Sequence, residues 1–217
     1  MDWKQKLEMF EDKRDWKSAI EHMIKVLTDH SEDPEAWVRI LYLLHNVLLE
    51  EDPEVAGLNE DELEKTLIKY FQKSRIKFSE NPEYLFFMGV IGHIAEYYWG
   101  EKTDDFATAM SKKAVELEPN NTLYKWGALT SDYCKSECEQ KKMLAKIILD
   151  DSSKKIWLQQ KGFPGRYILN IHINGSAKIT CLDNGMQYGE SLILYRKIKK
   201  LEEGENGNQE TLSVTVD

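Results

Sequence analysis

Apolar residues recur at three- and four-residue intervals through most of the first 150 positions, the spacing that gives an α-helix one buried stripe. Trp3, Leu7 and Phe10 share a stripe over about residues 2–13, and Trp16, Ala19, Ile20, Met23, Val26 and Leu27 share another over 15–29. Asp33-Pro34 reads as an N-cap followed by a first-turn proline, opening a helix that carries Trp37, Ile40, Leu41, Leu44 and Leu48. After a loop at 50–58, Asn59 and Glu62 form a capping-box pattern ahead of Leu63, Leu67, Tyr70, Phe71 and Ile76. Asn81-Pro82 opens a fifth helix in which Gly89 and Gly92 would let a neighbour come close. Thr103 caps a sixth and Asn121 a seventh; Met143, Leu144, Ile147 and Ile148 mark an eighth, and 152–161 reads as one more.

Beyond residue 161 the pattern changes. Gly162-Phe163-Pro164-Gly165 predicts a break. Tyr167–Ile173 and Ala177–Leu182 are rich in β-formers and flank Asn174-Gly175-Ser176, a hairpin signal, while 191–200 and 212–216 can supply further strands. The expected organisation is a helical domain over 1–161 and a small β-rich extension over 162–217, either a hairpin or a sheet, packed on the helices.

Within the helical part, Ala107 and Ala114 stand seven residues apart, nearly two helical turns, and Pro119 follows five later. Small side chains on one face admit a close neighbour, and the proline stops the helix. Aligning the helix starts at Pro34, Pro82 and Asn121 gives offsets of 48 and 39 residues, a repeat with drift. On Ala107, Ala114 and Pro119, and more loosely on Trp3, Leu7, Phe10 and Ala19, the chain resembles tetratricopeptide repeats. The resemblance implies a mainly α fold of antiparallel helical hairpins stacked as a solenoid. It departs from the repeat pattern in its variable period and in Leu41, which stands where another unit has Gly89.

Charge divides the molecule. Residues 1–66 hold 18 Asp/Glu against 8 Lys/Arg, whereas 152–201 hold nine Lys/Arg against two acids, within a chain of net charge −9. The densest acidic block is Glu50, Glu51, Asp52 and Glu54 with Glu60, Asp61 and Glu62. No run approaches the roughly 18–20 apolar residues of a membrane span, and the amphipathic N-terminus has no leader pattern, so a cytoplasmic location without membrane contact is expected. Cys134 and Cys138 lie one helical turn apart and Cys181 is the odd one out, which predicts reduced thiols.

No catalytic motif accompanies these features, and no enzymatic activity, metal or cofactor is expected. His22, His30, His45, His93 and His172 are scattered without a ligand spacing. The acid pairs Glu50-Glu51, Asp104-Asp105 and Asp150-Asp151 sit at loops and helix starts, where carboxylates favour the helix dipole. The expected activity is non-enzymatic protein binding. The acidic block would steer a basic partner, and Tyr97-Tyr98-Trp99, three consecutive aromatics that point to most sides of a helix, would anchor it. In charge and architecture the chain is similar to bacterial immunity proteins that neutralise basic nuclease toxins, including those of contact-dependent growth inhibition systems. That resemblance implies a cognate toxin domain as partner. A generic repeat adaptor or chaperone-like peptide binder is the second reading. The third is a nucleic-acid-associated regulator acting through Lys154, Lys155, Lys161, Arg166, Lys178, Arg196, Lys197, Lys199 and Lys200.

Overall fold

The computed structural model describes residues 1–51, 53–94, 96–100, 105–129, 135–178 and 181, with backbone only at Glu96, Tyr97, Asp105 and Lys135. The described chain is mainly helical. Its α-helices are α1 (Trp3–Asp12), α2 (Trp16–Asp29), α3 (Pro34–Glu50), α4 (Glu60–Lys77), α5 (Pro82–Ile91), α6 (Asp105–Leu117), α7 (Thr122–Ala128), α8 (Lys135–Asp150), α9 (Ser152–Gln160), α10 (Gly162–Tyr167) and α11 (Asn174–Lys178). A 3-10 turn spans Glu96–Trp99, and a π-helical stretch, Ile168–Ile173, joins α10 to α11.

Side-chain caps set most of the helix starts. Asp2, Asp15, Asp33, Asn59, Asn81, Asn121 and Asp151 each accept a hydrogen bond from a backbone N–H of the first turn. Pro34 and Pro82 occupy the first turns of α3 and α5, where the missing N–H costs nothing. At the end of α1 the N–H of Arg14 bonds to Glu11 O and that of Asp15 to Phe10 O, both at 3.0 Å, with Arg14 left-handed at φ 54°. That is the position where helices favour glycine. Arg14→Gly is expected to raise stability by about 1 kcal/mol, read as a higher urea midpoint at unchanged slope; an unchanged or lower midpoint would show that the Arg14 side chain outweighs the backbone strain.

The core follows the stripes. α3 is buried nearly all round, from Ala36 through Leu44 and on to Val47 and Leu48, because α2, α4, α5 and α10 all pack on it. Most helices pack on their sequence neighbours, and the most extensive contact is between α5 and α6. Ala107 and Ala114 are both fully buried. A Cβ on Gly89 would fall 2.2 Å from Ser111 Oγ and 3.1 Å from Ala107 O, and one on Gly92 would meet Phe106 at 2.7 Å. The close approach anticipated from these small residues is present. Of the apolar residues expected along α8, Leu144 and Ile148 are buried but Met143 and Ile147 face outward, 54% and 46% exposed.

Two expectations are overturned. Residues 167–178 are helical and do not form a hairpin turning at Asn174-Gly175. Ile168, Leu169, Ile173 and Ser176 are buried at intervals of one, four and three residues, a helical stripe that packs against α8 and α9. β-propensity reports fit to a half-buried pleated surface, and here a helical core face claims the same β-branched residues. The break at 162 is real but brief: Gly162, left-handed at φ 65°, ends one helix and begins the next. The second correction concerns the thiols, since Cys138 on α8 forms a disulfide with Cys181, 43 residues away. The return of the chain along α8 creates this pairing, which sequence spacing alone could not show. The strands anticipated at 191–200 and 212–216, the Thr103 cap and Cys134 lie outside the described residues.

Candidate functional site

The loop from α3 to α4 is held down at its base and open at its tip. Glu51 caps α3, its N–H bonding to Val47 O at 3.3 Å. Pro53 is buried, Leu58 donates to Pro53 O at 2.8 Å, and Ala56 and Leu58 pack on the core. The turn between them closes through Gly57 N and Glu54 O at 3.0 Å, with Gly57 left-handed at φ 69°. Anchoring Ala56 and Leu58 leaves Glu54 exposed and Val55 85% exposed at the tip. Glu60, Asp61 and Glu62 are exposed on the first turn of α4, beside the N–H groups that favour negative charge. Glu50 and Glu51 are half-buried at the foot of the loop, and Asp52 lies outside the described residues.

The aromatic run divides between surface and core. Tyr98 is half-buried beside the loop, its hydroxyl donating to Leu48 O at 3.1 Å. Trp99 is 1% exposed, stacked on His45 at 4.9 Å and against Phe71 at 5.2 Å. Trp99 is therefore a core residue and drops out of the candidate surface, because the 3-10 turn folds it inward over α4. The side chain of Tyr97 lies outside what is described. His45 is also in the core, bonding through Nε2 to Ile94 O at 2.8 Å.

Sequence reading missed a cluster of buried charge. Arg39 of α3 has a fully buried guanidinium whose Nη2 stands 3.4 Å from Glu11 Oε2 and 4.0 Å from Glu8 Oε1, while its Nε and Nη1 are buried without hydrogen-bond partners. Glu8 also meets Arg166 of α10 at 3.6 Å. Next to it, Lys161 joins Glu35 of α3 at 3.0 Å and Glu83 of α5 at 2.6 Å, and Lys4 of α1 reaches Glu35 at 2.7 Å. These contacts clamp α1, α3, α5 and the α9–α10 turn together.

Burial and pairing oppose each other throughout this clamp, and burial wins at Glu11 and Arg39. It pushes the Glu11 carboxyl up to about 7, with the Arg39 charge pulling the other way and losing. Burial likewise lowers Arg39 from its ordinary value against the pull of Glu11. Burial also opposes the charges of Glu35 and Lys161, but there the ion-pair hydrogen bonds win, so Glu35 lies below the usual carboxylate range and Lys161 above the usual lysine range. A signal for the clamp was available: Glu11 falls one turn after Leu7 on the apolar stripe of α1, and Arg39 interrupts a run of apolar residues.

The basic C-terminal set is partly committed within the chain. Lys161 and Arg166 pair with the N-terminal acids, and Lys154 pairs with Asp151. Among the described residues, no group of three or more His, Cys, Asp or Glu side chains could hold a metal ion, and no helix is long and apolar enough to cross a membrane. The depression lined by Glu118, Pro119, Asn120, Asn121, Thr122 and Lys154 is shallow and polar, unlike the enclosed, largely apolar pockets that hold small molecules. Comparison with known proteins finds no family model and no curated protein that matches this chain.

Proposed function

We propose that this chain is a non-enzymatic binding scaffold of tetratricopeptide-like helical hairpins, which captures a basic protein on the acidic surface at the α3–α4 loop. The observation that carries the reading is that Glu54 and Val55, the latter 85% exposed, and Glu60, Asp61 and Glu62 are all exposed on one loop and the helix start that follows it. An exposed apolar tip on an acidic loop combines a contact that can be desolvated with long-range attraction, the pairing that gives protein interfaces an anchor and a fast on-rate. Tyr98, half-buried and bonded to Leu48 O just before the loop, adds an amphipathic side chain near its foot.

The specific form of the proposal is an immunity-type protein that neutralises a basic, nuclease-type toxin domain. The reading through nucleic acid is less favoured, because Lys154, Lys161 and Arg166 are engaged within the chain. The experiment is to co-express the chain with the product of the adjacent gene and to measure complex formation and nuclease inhibition. In a variant carrying Glu54→Lys, Glu60→Lys and Glu62→Lys, the fold is expected to persist, since exposed charges contribute about 0–1 kcal/mol each. Association should slow by roughly tenfold or more at low salt and lose most of its salt dependence. An on-rate that is the same in the triple variant would remove this surface from consideration.

A further inference from the structure

His172 of the last described helical segment belongs to a second group of basic side chains that are withdrawn from water in whole or in part. His172 lies in the π-helical stretch; the residue as a whole is half-buried, yet its Nε2 is sealed from solvent and has no hydrogen-bond partner. Lys141 of α8 and His93 at the end of α5 are near enough to act on it electrostatically. Lys141 is itself 6% exposed and lies over the Trp126 ring at 5.2 Å. One turn before Lys141, Glu137 brings a buried Oε2, and the Tyr167 ring stands 5.0 Å from the His172 ring on the α10 side. Of the charged groups on the remaining elements packed here, Lys178 of α11 is exposed, Lys155 of α9 is half-buried, Lys154 of α9 is tied to Asp151 and Arg166 of α10 to Glu8.

We infer that the segment Ile168–Ile173 is an acid-released clasp: protonation of His172 puts a positive charge beside Lys141 and His93 at a sealed nitrogen with no acceptor, and lifts the segment from α8. The disulfide from Cys181 to Cys138 of α8 keeps the released segment attached at its far end. What opening bares is the apolar face of Ile168, Leu169 and Ile173, all buried in the closed form. π-helical turns are rare and are frequent at functional positions.

The ionisation behaviour agrees with this arrangement. Burial first, then the like charges of Lys141 and His93, hold the His172 imidazole down to about 3. Burial pushes Lys141 down to about 7. For a histidine lowered in the closed form, stability is full above its ordinary value of about 6.5 and is lost as pH falls through that value toward the lowered one, because the open form takes up the proton first.

The test uses the full chain. The His172 ring protons are followed by NMR from pH 8 to pH 4, alongside amide exchange of 168–178 corrected for intrinsic rates. His172 is expected to remain neutral in the closed form below pH 5, and opening of 168–178 to grow about tenfold per pH unit below about 6, with α2 and α3 unaffected. In His172→Phe and in His172→Gln the growth of that opening below about pH 6 should disappear. If both variants still open with acid as the wild type does, or if wild-type His172 titrates near its ordinary value with protection unchanged, there is no clasp. The wild-type titration decides the matter should either variant fail to fold.

Discussion

Gly89→Ala is expected to lower stability by about 3 kcal/mol, at the upper end of what a single added methyl costs in a packed core. The new Cβ would stand 2.2 Å from Ser111 Oγ, 2.9 Å from Ser111 N and 3.1 Å from Ala107 O. The hydroxyl can be removed, but the two backbone atoms belong to α6, whose contact with α5 is the most extensive in the molecule. Relief therefore requires the helices to separate, with loss of packing around Ala107, Ala114 and Phe106. Ser111→Ala alone should cost little, since its buried Oγ has no hydrogen-bond partner. The double variant should recover part of the loss, leaving the backbone clash as the remainder. Urea denaturation of the four proteins measures the cycle; a neutral Gly89→Ala would mean that α5 and α6 are not in tight contact.

Arg39→Ala is expected to cost about 3–5 kcal/mol at pH 8, the range for removing one partner of a buried ion pair. It leaves the Glu11 carboxyl, 3% exposed, without its cation and facing a void, where ionisation is costly. The loss should shrink at pH 5, and the sign follows from the raised carboxyl. Glu11 has a folded value of about 7 against the ordinary carboxylate value of 4.5, so its contribution to stability is full below 4.5 and is lost as pH rises through 7. Without Arg39 the carboxyl rises further, and at pH 5 it holds its proton and needs no cation. Denaturation at both pH values tests this: a cost that does not change between them would show that Glu11 is not the source of the penalty. Gly162 belongs to the same unit, because a Cβ there would stand 1.6 Å from Arg39 Nη1 while the backbone is left-handed at φ 65°.

The candidate surface was legible because its determinants are local. Glu60, Asp61 and Glu62 follow the capping Asn59 and must project from the first turn of α4, and a short loop after α3 must be solvated. The clamp and the base cluster were not legible, because each joins residues far apart in sequence: Glu11 with Arg39, Lys161 with Glu83, Lys141 with His172. Trp99 shows the same limit in one residue. Three adjacent aromatics require several directions, but which of them turns inward depends on His45, Phe71 and Phe106 already being there.

By itself the sequence determined the helices and their ends from Trp3 to Gln160 wherever a cap or a first-turn proline marks them, and it marked the small-residue stripes of α5 and α6 as places of close helix contact, though not as each other's partner. Caps and stripes are set by residues within one or two turns of each other, so short-range chemistry suffices. Tertiary structure decided the rest. It turned Tyr167–Lys178 from a sequence of β-formers into a helical core face, because burial against α8 and α9 outweighs a local preference of at most about 1 kcal/mol. It also joined Cys138 to Cys181 and put Arg39, Glu11, Lys141 and the Nε2 of His172 out of water, since pairing and desolvation are properties of the assembled interior.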